Sequence, residues 1–543
     1  MSKLWDSWSP KRLTGFSRRE LGRMASLLMF GGLTRSERAS AAQSVSAAAP
    51  TIAARSPNLY ASLGVRPFIN CRGTVTVIGG SIELPEVRSV KSLANQQFVQ
   101  IDELMEAAGK RLGELTGAEW GMVSAGCSAA ISHATAACVA GGNPDLHVRL
   151  PNLAGFAKDE AIIPAHSRTV YDAAIRAVGV KIIEVDTMDA LQFAIGPKTA
   201  LIYIRPNAEN EKGLMPTEAI AKVAKPHNVP VLVDAAAEAL TIPVIHLQWG
   251  ATLVAYSGGK IIRGPQSAGL LLGRKDLVKA AWVHSAPHHG YARAMKVGRE
   301  EVIGMLAAVE SWAKRDHAAE WKEWVSRCDY IAERVTKIPG VTASVRREPG
   351  HRNNLNTRLS LQWDAQALGI TGADVAKILD ETAPRILLGG SGRGQRTSGG
   401  DTSLSITTAL MTPGDEKIVA ERVYQVLLEK HTLSPLQPPA APAGNVSGSW
   451  KVEIQFAASK STHTLNFVQQ GNSLKGTHRG DFTERDVVGT IDGDGVSFAT
   501  EFAEFHGDEL SFQFSGKLSG DSMTGSLDMG EYLTATWTGH RRA

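Results

Sequence analysis

The sequence predicts an α/β protein with a mostly parallel sheet in a large domain, a smaller α+β domain, and a small all-β barrel or sandwich at the C-terminus. Three observations support this prediction. Short apolar runs alternate with amphipathic stretches from residue 56 to about 290, and a long helical period follows from residue 298. The last hundred residues alternate short strands with Gly, Asn and Asp turns and contain no helical segment.

The strands of the large domain are continuous apolar runs, such as "VKIIEV", "TALIYI", "VPVLVD" and "ATLVAYS". Runs of this kind indicate a parallel sheet that is covered on both faces. The Pro- and Ala-rich stretch "HTLSPLQPPAAPAGNV" is typical of a semi-rigid linker. We therefore expect a leader over 1–48, the large domain with an N-terminal arm over 49–295, the small domain over 296–430, a linker over 431–446 and the β domain over 447–543.

The charge of the chain is concentrated at its N-terminus. Of the formal net charge of +4, residues 1–48 contribute +5, with eight Lys or Arg against three Asp or Glu, which leaves −1 for the other residues of the 543-residue chain. Residues 49–543 carry no excess positive charge, and they therefore do not predict nucleic-acid binding.

Neither the cysteines nor the histidines predict a metal site. The adjacent residues His288 and His289 lie in one loop without a carboxylate pattern beside them. The cysteines have no metal-binding spacing, and we expect buried free thiols at Cys71, Cys127, Cys138 and Cys328.

The first fifty residues have the layout of a twin-arginine export signal. Arg18 and Arg19 precede a short apolar stretch, Met24 to Leu33, and then a tract of Ala and Ser with several small-x-small sites. The apolar run is too short and glycine-rich to be a stable membrane anchor. A disordered basic leader is the alternative; the export pattern predicts a periplasmic or secreted protein.

One lysine, Lys260, lies within the Gly-rich and apolar stretch "VAYSGGKIIRGPQSAGLLLGR". Burial removes hydration from an amine and favours its neutral, nucleophilic form. Such a lysine forms either an ion pair or a Schiff base, and other segments of the sequence are needed to distinguish these two roles.

Three further features match one cofactor. Asp234 ends an apolar strand about 26 residues before Lys260, and ligands of such sheets bind at the carboxyl ends of the strands. Gly126, Cys127 and Ser128 form a turn before a helix of small residues, whose amides suit a phosphate. His166 follows another strand. An amine, a carboxylate, an anion cradle and a flat ring together predict pyridoxal 5'-phosphate (PLP).

The chemistry of this cofactor suggests a role for each residue. Lys260 would form the Schiff base and carry protons, and Asp234 would keep the pyridine nitrogen protonated. Ser257 and the 126–128 turn would bind the phosphate, while His166 would stack on the ring. Taken singly, the lysine also fits an ion pair, the aspartate a helix cap and the histidine a buried core residue.

The chain resembles the fold-type-I PLP enzymes over about residues 56–430. Within them it is most similar to the selenocysteine synthase-like branch, which includes D-glucosaminate-6-phosphate ammonia-lyase. The segments that carry the resemblance are "RPFINCRGTVTVIGGS", "EWGMVSAGCSAAI", "PAHSRTVYDAAIRAVGVKIIEV", "VLVDAAAEA", "YSGGKIIRGPQSAGLLLG" and "RAMKVGREEVIGMLAAVE". The resemblance implies the roles given above and a homodimer or higher homo-oligomer with its site near a subunit interface.

Several basic residues are candidates to bind substrate anions by the same resemblance. Arg393 and Arg396 lie in the Gly-rich segment expected in the small domain, where such enzymes often bind a substrate carboxylate. The glycines there also fit a plain mobile loop. Arg263, Arg293 and Lys296 are further candidates, although each also fits a solvated surface charge.

The branch that the chain resembles favours an α,β-elimination, with loss of ammonia, or a β-replacement on an amino acid or amino-sugar acid. An aminotransferase or a racemase is the alternative, because both use the same lysine and aspartate. Selenocysteine synthesis on tRNA is disfavoured, because residues 49–543 carry no net positive charge and because an exported enzyme would not meet tRNA. A non-catalytic exported binding protein is the alternative from another class.

Overall fold

A computed structural model describes residues 59–389, 403–433, 438–500 and 512–542. The chain divides into two compact units, residues 1–67 and residues 68–543. The described part of the first unit contains one 3-10 turn, Ala61–Leu63. The export signal with Arg18 and Arg19 lies outside the described residues, as do Arg393 and Arg396.

The strands before the C-terminal domain form three sheets. In chain order they are β1 (Ile69–Cys71), β2 (Trp120–Ser124), β3 (Glu160–Pro164), β4 (Lys181–Val185), β5 (Thr199–Ile204), β6 (Val231–Asp234), β7 (Leu253–Ser257), β8 (Gly269–Gly273), β9 (Thr342–Val345), β10 (Leu359–Gln362), β11 (Ile386–Leu388) and β12 (Ser403–Ile406). Seven of them form the main sheet in the order β2-β8-β7-β6-β5-β3-β4. Strand β8 is antiparallel to both of its neighbours, and the other pairs are parallel.

The helices explain why these strands are apolar throughout. The described α-helices are α1 (Pro85–Ala94), α2 (Ile101–Thr116), α3 (Cys127–Ala140), α4 (Pro144–His147), α5 (Ala173–Arg176), α6 (Met188–Ala194), α7 (Thr217–Ala224), α8 (Ile245–Gln248), α9 (Lys275–Val283), α10 (Arg299–Lys314), α11 (His317–Val335), α12 (Ala365–Leu368), α13 (Gly372–Glu381) and α14 (Asp415–Leu428). Every residue of β2, β5, β6 and β8 is buried. A sheet covered on both faces selects continuous apolar runs, as the sequence predicted.

A second hydrophobic core belongs to the smaller α+β region. Strands β12, β10 and β9 form an antiparallel sheet, and α11 and α14 contribute apolar residues to its core. Strand β1 pairs in parallel with β11, and Cys71 is buried in the same core. Residues 69–71, which we expected in the large domain, therefore pair with a strand of the smaller region. The other domain boundaries stay predictions.

The C-terminal residues form a closed eight-stranded antiparallel barrel. Its strands are β13 (Gly448–Gln455), β14 (Lys460–Gln470), β15 (Ser473–Arg479), β16 (Glu484–Asp492), β17 (Gly495–Thr500), β18 (Phe512–Ser519), β19 (Ser522–Asp528) and β20 (Thr534–Arg541). Strand β20 pairs with β13 and closes the barrel, so that no edge strand is left exposed. Large aromatic side chains, including Trp450 and Trp537, fill the interior. The predicted fold class is thus confirmed, with a barrel as the all-β domain.

Within the described residues, none of the helices has both the length and the apolar character that a membrane span requires.

Buried histidines predict how stability depends on pH. His133 and His284 are fully buried, and burial lowers the pKa of His133 to about 4 and that of His284 to about 3. In the unfolded chain both become protonated as the pH falls below about 6.5, whereas in the folded protein they stay neutral down to these lower values. Acidification across this window therefore favours unfolding by about 1.4 kcal/mol per pH unit for each histidine.

We expect His133→Gln to reduce the pH dependence of stability. Glutamine takes up no proton, so the loss of unfolding free energy between pH 6.5 and 4.5 should be smaller by ~2 kcal/mol than in the wild type. Urea unfolding at several pH values measures this difference. The exposed His227 provides the control, since His227→Gln should leave the slope unchanged. An equal slope in His133→Gln and the wild type would contradict the assignment.

Candidate active site

The sheet topology brings the predicted site residues to one edge. Strands β2, β3, β6 and β7 point in the same direction, because β8 is antiparallel to both β2 and β7. The residues at or just after the carboxyl ends of these four strands are the 126–128 turn, His166, Asp234 and the segment from Ser257 to Lys260. In parallel sheets, ligands bind at this edge.

The turn between β2 and α3 has the geometry of an anion cradle. Gly126 has φ +92°, a value that favours glycine, and α3 begins at the next residue. The amide of Ala130 is the first to bond back to Gly126, which leaves the amides of Cys127, Ser128 and Ala129 without an intrahelical acceptor. Ser124 Oγ fixes the turn with a hydrogen bond of 2.8 Å to the Gly126 carbonyl. These amides can bind a phosphate.

Asp234 is buried, with 4% of its surface exposed, and it accepts hydrogen bonds on both oxygens. The Ala236 amide donates to Oδ1 at 3.0 Å, and the Tyr203 hydroxyl donates to Oδ2 at 2.8 Å. The Cys127 thiol lies 3.7 Å from Oδ1. An ionised carboxylate has about four lone-pair positions, so these three donors leave one for a ligand.

Lys260 follows β7 by three residues and is half-buried. Its Nζ donates a hydrogen bond of 2.6 Å to the Thr74 carbonyl in the segment after β1. Burial lowers the pKa of the Lys260 amine, while the nearby Cys127 and Asp234 oppose this shift. The amine is therefore closer to its neutral, nucleophilic form than an exposed lysine is.

His166 lies at the end of β3 in the 3-10 turn Ala165–Ser167. Its pKa is lowered by burial, which outweighs the opposing effect of Glu211, and its Nε2 has no hydrogen-bond partner among the described residues. Ser167 holds the turn, because its Oγ accepts the Arg205 amide at 3.0 Å. A neutral imidazole in this position can pack against a flat ring.

The structure does not bring every predicted residue into this group. Ser257 ends β7 and is half-buried, near the expected position. Arg263 instead donates from Nε to the Ile82 carbonyl at 3.0 Å, and its pKa is lowered by burial and by the neighbouring Arg315. Arg293 and Lys296 are exposed. No substrate-binding arginine is therefore identified among the described residues.

Two residues that contact the site were not predicted from the sequence. Tyr203 is a polar side chain in the apolar run "TALIYI", and this mismatch is the signal that could have found it. Thr74 contributes only a main-chain carbonyl, and it is 186 residues from Lys260 in sequence. No side-chain pattern can reveal such a contact.

Comparison with known proteins identifies the family. Residues 161–389 match the model of the aminotransferase class-V family. The chain is 31% identical over 328 residues to D-glucosaminate-6-phosphate ammonia lyase of Salmonella typhimurium, which covers 59% of this chain and 86% of the relative. The chain belongs to the fold-type-I PLP enzymes, in the ammonia-lyase-like branch. It is therefore a PLP-dependent enzyme, and a non-catalytic binding protein is set aside.

Two other similarities agree with this family. The chain is 31% identical over 385 residues to 5'-C-glycyluridine monooxygenase-decarboxylase of a Streptomyces species, across 68% of this chain and 92% of that one. A solved structure of D-glucosaminate-6-phosphate ammonia-lyase superposes with a TM-score of 0.60 and 28% identity, covering 69% of this chain and 99% of that chain.

The residues of this fold-type-I enzyme fit its cofactor. The amides of the 126–128 turn would hold the phosphate, and the open lone pair of Asp234 would accept the ring N–H. The imidazole of His166, whose Nε2 has no partner among the described residues, would pack on the ring. Lys260 supplies the amine. These assignments rest on the contacts within this chain and stay predictions for each residue.

We expect Gly269→Ala to weaken cofactor binding. A Cβ at residue 269 would lie 2.4 Å from the Gly126 carbonyl carbon and 2.6 Å from the Cys127 amide nitrogen, so β8 and the cradle would have to separate. Reconstitution of the apoenzyme with PLP should show a dissociation constant raised about tenfold or more.

Gly196→Ala is the control for this variant. Nothing lies within 4 Å of a Cβ at residue 196, and this glycine does not have a left-handed φ. Its cofactor affinity should equal that of the wild type. An unchanged affinity in a folded Gly269→Ala enzyme would show that the 126–128 turn is not the phosphate site.

Proposed function

We propose that this enzyme is a lyase that eliminates a group, with loss of ammonia, from an amino acid or amino-sugar acid. The observation that carries the proposal is its similarity to D-glucosaminate-6-phosphate ammonia lyase, which extends over 86% of that relative. Replacement of a group at Cβ is the closely related variant, because it begins with the same removal of a proton and a leaving group.

The chain's own residues have distinct tasks in this proposal. PLP, when bound, acts as the electron sink for the pair left at the substrate Cα. Lys260 would supply the amine that holds the cofactor and the base that accepts the Cα proton. Asp234 would keep a proton on the ring nitrogen, and the 126–128 turn would anchor the phosphate. His166 and the buried strand ends exclude water from the ring.

The proposed elimination balances in atoms and charge. The Cα–H bond breaks, its proton goes to Lys260 and its electron pair forms the Cα–Cβ double bond. The group on Cβ departs with the electron pair of its own bond and takes the proton from Lys260. Hydrolysis of the remaining unsaturated amine then gives a 2-oxo acid and ammonia. The lowered pKa of Lys260 suits this transfer, because a base works best when its pKa is near the working pH.

A decarboxylating reaction that consumes oxygen is the second candidate. The relative from Streptomyces is a monooxygenase-decarboxylase and has the same 31% identity over a longer stretch. Transamination and racemisation also use a lysine and an aspartate. Each of the four reactions leaves different products, so one assay can separate them.

We expect a screen of amino acids and amino-sugar acids to release a 2-oxo acid and ammonia in equal amounts over many turnovers, without an added keto acid. Coupled assays for ammonia and 2-oxo acid would be followed together with oxygen uptake, carbon dioxide and the visible spectrum of the cofactor. Wild-type protein should show a visible band that borohydride bleaches.

Lys260→Ala is the control, since it removes the amine that holds the cofactor and accepts the proton. It should fold and have no turnover. Stalling after one turnover until a keto acid is added would indicate an aminotransferase, and inversion of the substrate alone would indicate a racemase. Oxygen uptake with carbon dioxide release would favour the monooxygenase-decarboxylase activity, and each of these outcomes would reject the lyase.

We further propose that the protein is exported by the twin-arginine route to the periplasm or beyond. Arg18, Arg19, the short apolar stretch and the Ala- and Ser-rich tract support this. The route carries folded proteins, which suits an enzyme that takes up its cofactor before export.

Replacing both arginines by lysine tests the export proposal. The charge is unchanged, but the pair that the pathway reads is lost, so we expect the variant to stay in the cytoplasm. Cell fractionation with activity measurement checks this, and the same Arg→Lys changes at Arg35 and Arg38 serve as the control. Normal export of the Arg18 and Arg19 variant would reject the route.

We propose a homo-oligomer as the working assembly. Large apolar side chains are exposed on α1 and on the segments before and after it, namely Val77, Ile82, Leu93 and Phe98. The neighbouring amide of Ser81 bonds to the Gly259 carbonyl, one residue before Lys260, so this surface adjoins the site. A second copy that covers these side chains would therefore lie close to the segment that contains Lys260.

A further inference from the structure

The buried carboxylate of Asp234 is held by two side chains to which neither the sequence nor the resemblance assigns this task. We infer that Tyr203 and Cys127 are positioning residues that hold Asp234 in the orientation in which it meets the cofactor ring nitrogen. The inference rests on PLP dependence alone and holds for any of the reactions considered above.

Tyr203 is placed for this task by the pairing of β5 with β6. The two strands are adjacent and parallel, with Tyr203 opposite Leu232, two residues before Asp234. Its side chain is fully buried, and its hydroxyl donates to Oδ2 at 2.8 Å. Burial and the neighbouring Asp234 raise the pKa of Tyr203 well above its ordinary value. The hydroxyl therefore stays protonated and remains a donor.

Cys127 connects two parts of the site. It is the first residue of α3, so its amide belongs to the anion cradle, and its thiol lies 3.7 Å from Asp234 Oδ1. Burial and Asp234 raise the pKa of this thiol well above its ordinary value, so it too stays a neutral donor. One residue thus sets the spacing between the group that binds the phosphate and the group that binds the ring nitrogen.

Neutral donors suit this position for an electrostatic reason. A lysine or arginine beside Asp234 would neutralise the charge that attracts the ring proton, whereas a hydroxyl and a thiol orient the carboxylate and leave its charge in place. Together with the Ala236 amide they occupy both oxygens and leave one lone pair open. Loss of either side chain would let the carboxylate rotate or bind a proton itself.

The experiment compares two buried tyrosines on β5 and β7, the strands on either side of β6. Tyr203→Phe removes the hydroxyl that contacts Asp234, and Tyr256→Phe on β7 removes one that has no hydrogen-bond partner among the described residues. Full-length enzyme is freed of cofactor and titrated with PLP from pH 5 to 9. Affinity is followed by absorbance and fluorescence, and thermal unfolding is recorded in parallel.

We expect Tyr203→Phe to raise the dissociation constant of PLP about 10- to 100-fold, the effect of a hydrogen bond to a charged group. A carboxylate accepts a stronger hydrogen bond from a hydroxyl than its neutral acid does, so loss of this bond favours the neutral form. Cofactor binding should therefore fail at a higher pH on acidification than in the wild type. Once a substrate is known, kcat should fall more than KM rises. Tyr256→Phe should match the wild type in every one of these measurements.

The two variants of Cys127 supply an independent test. Cys127→Ser keeps a donor and should retain most of the affinity, whereas Cys127→Ala should lose about tenfold. If the two tyrosine variants bind PLP equally, or if serine rescues no better than alanine, the inference is wrong. If Tyr203→Phe does not fold, the comparison of Cys127→Ser with Cys127→Ala is the deciding test. These measurements need no substrate, so failure of the lyase proposal would leave them unaffected.

Discussion

The site depends on the hydrogen bonds that hold the buried carboxyl group of Asp234 within an apolar sheet. Asp234 ends a strand whose residues are all buried, and a charge in such surroundings is stable only if hydrogen-bond donors replace the water it has lost. The main chain supplies one donor through Ala236, and β5 and α3 supply the others through Tyr203 and Cys127. The buried carboxylate therefore requires a donor side chain on β5 and another on α3.

The same constraint explains how the rest of the edge is organised. The helix that contacts Asp234 through Cys127 also presents the free amides of the cradle, and β8 passes so close behind this turn that residue 269 has no room for a Cβ. Lys260 is tied to the Thr74 carbonyl, which follows the strand that pairs with the smaller region. The main sheet and the segment after β1 thus both contribute contacts to the candidate active site.

The cofactor and the reaction of this enzyme are supported by different observations. PLP dependence and the fold follow from family membership and from a donor set that matches the cofactor. The reaction depends on groups around the substrate Cα and Cβ, and two relatives with equal identity to this chain have different activities, an ammonia lyase and a monooxygenase-decarboxylase. A shared cofactor site therefore restricts the chemistry without selecting one reaction.

The sequence by itself determined the fold class and the cofactor, and it predicted the residues that would hold that cofactor. These predictions rested on local features: strand periodicity, the ends of apolar runs and the residue types at Lys260, Asp234 and His166. Such features can be recognised in the sequence without knowledge of the fold. Tertiary structure alone decided that Tyr203 and Thr74 contact the site and that Arg263 turns toward Ile82. These contacts join residues far apart in the chain, or involve only main-chain atoms, so they depend on strand order and packing that no local pattern encodes.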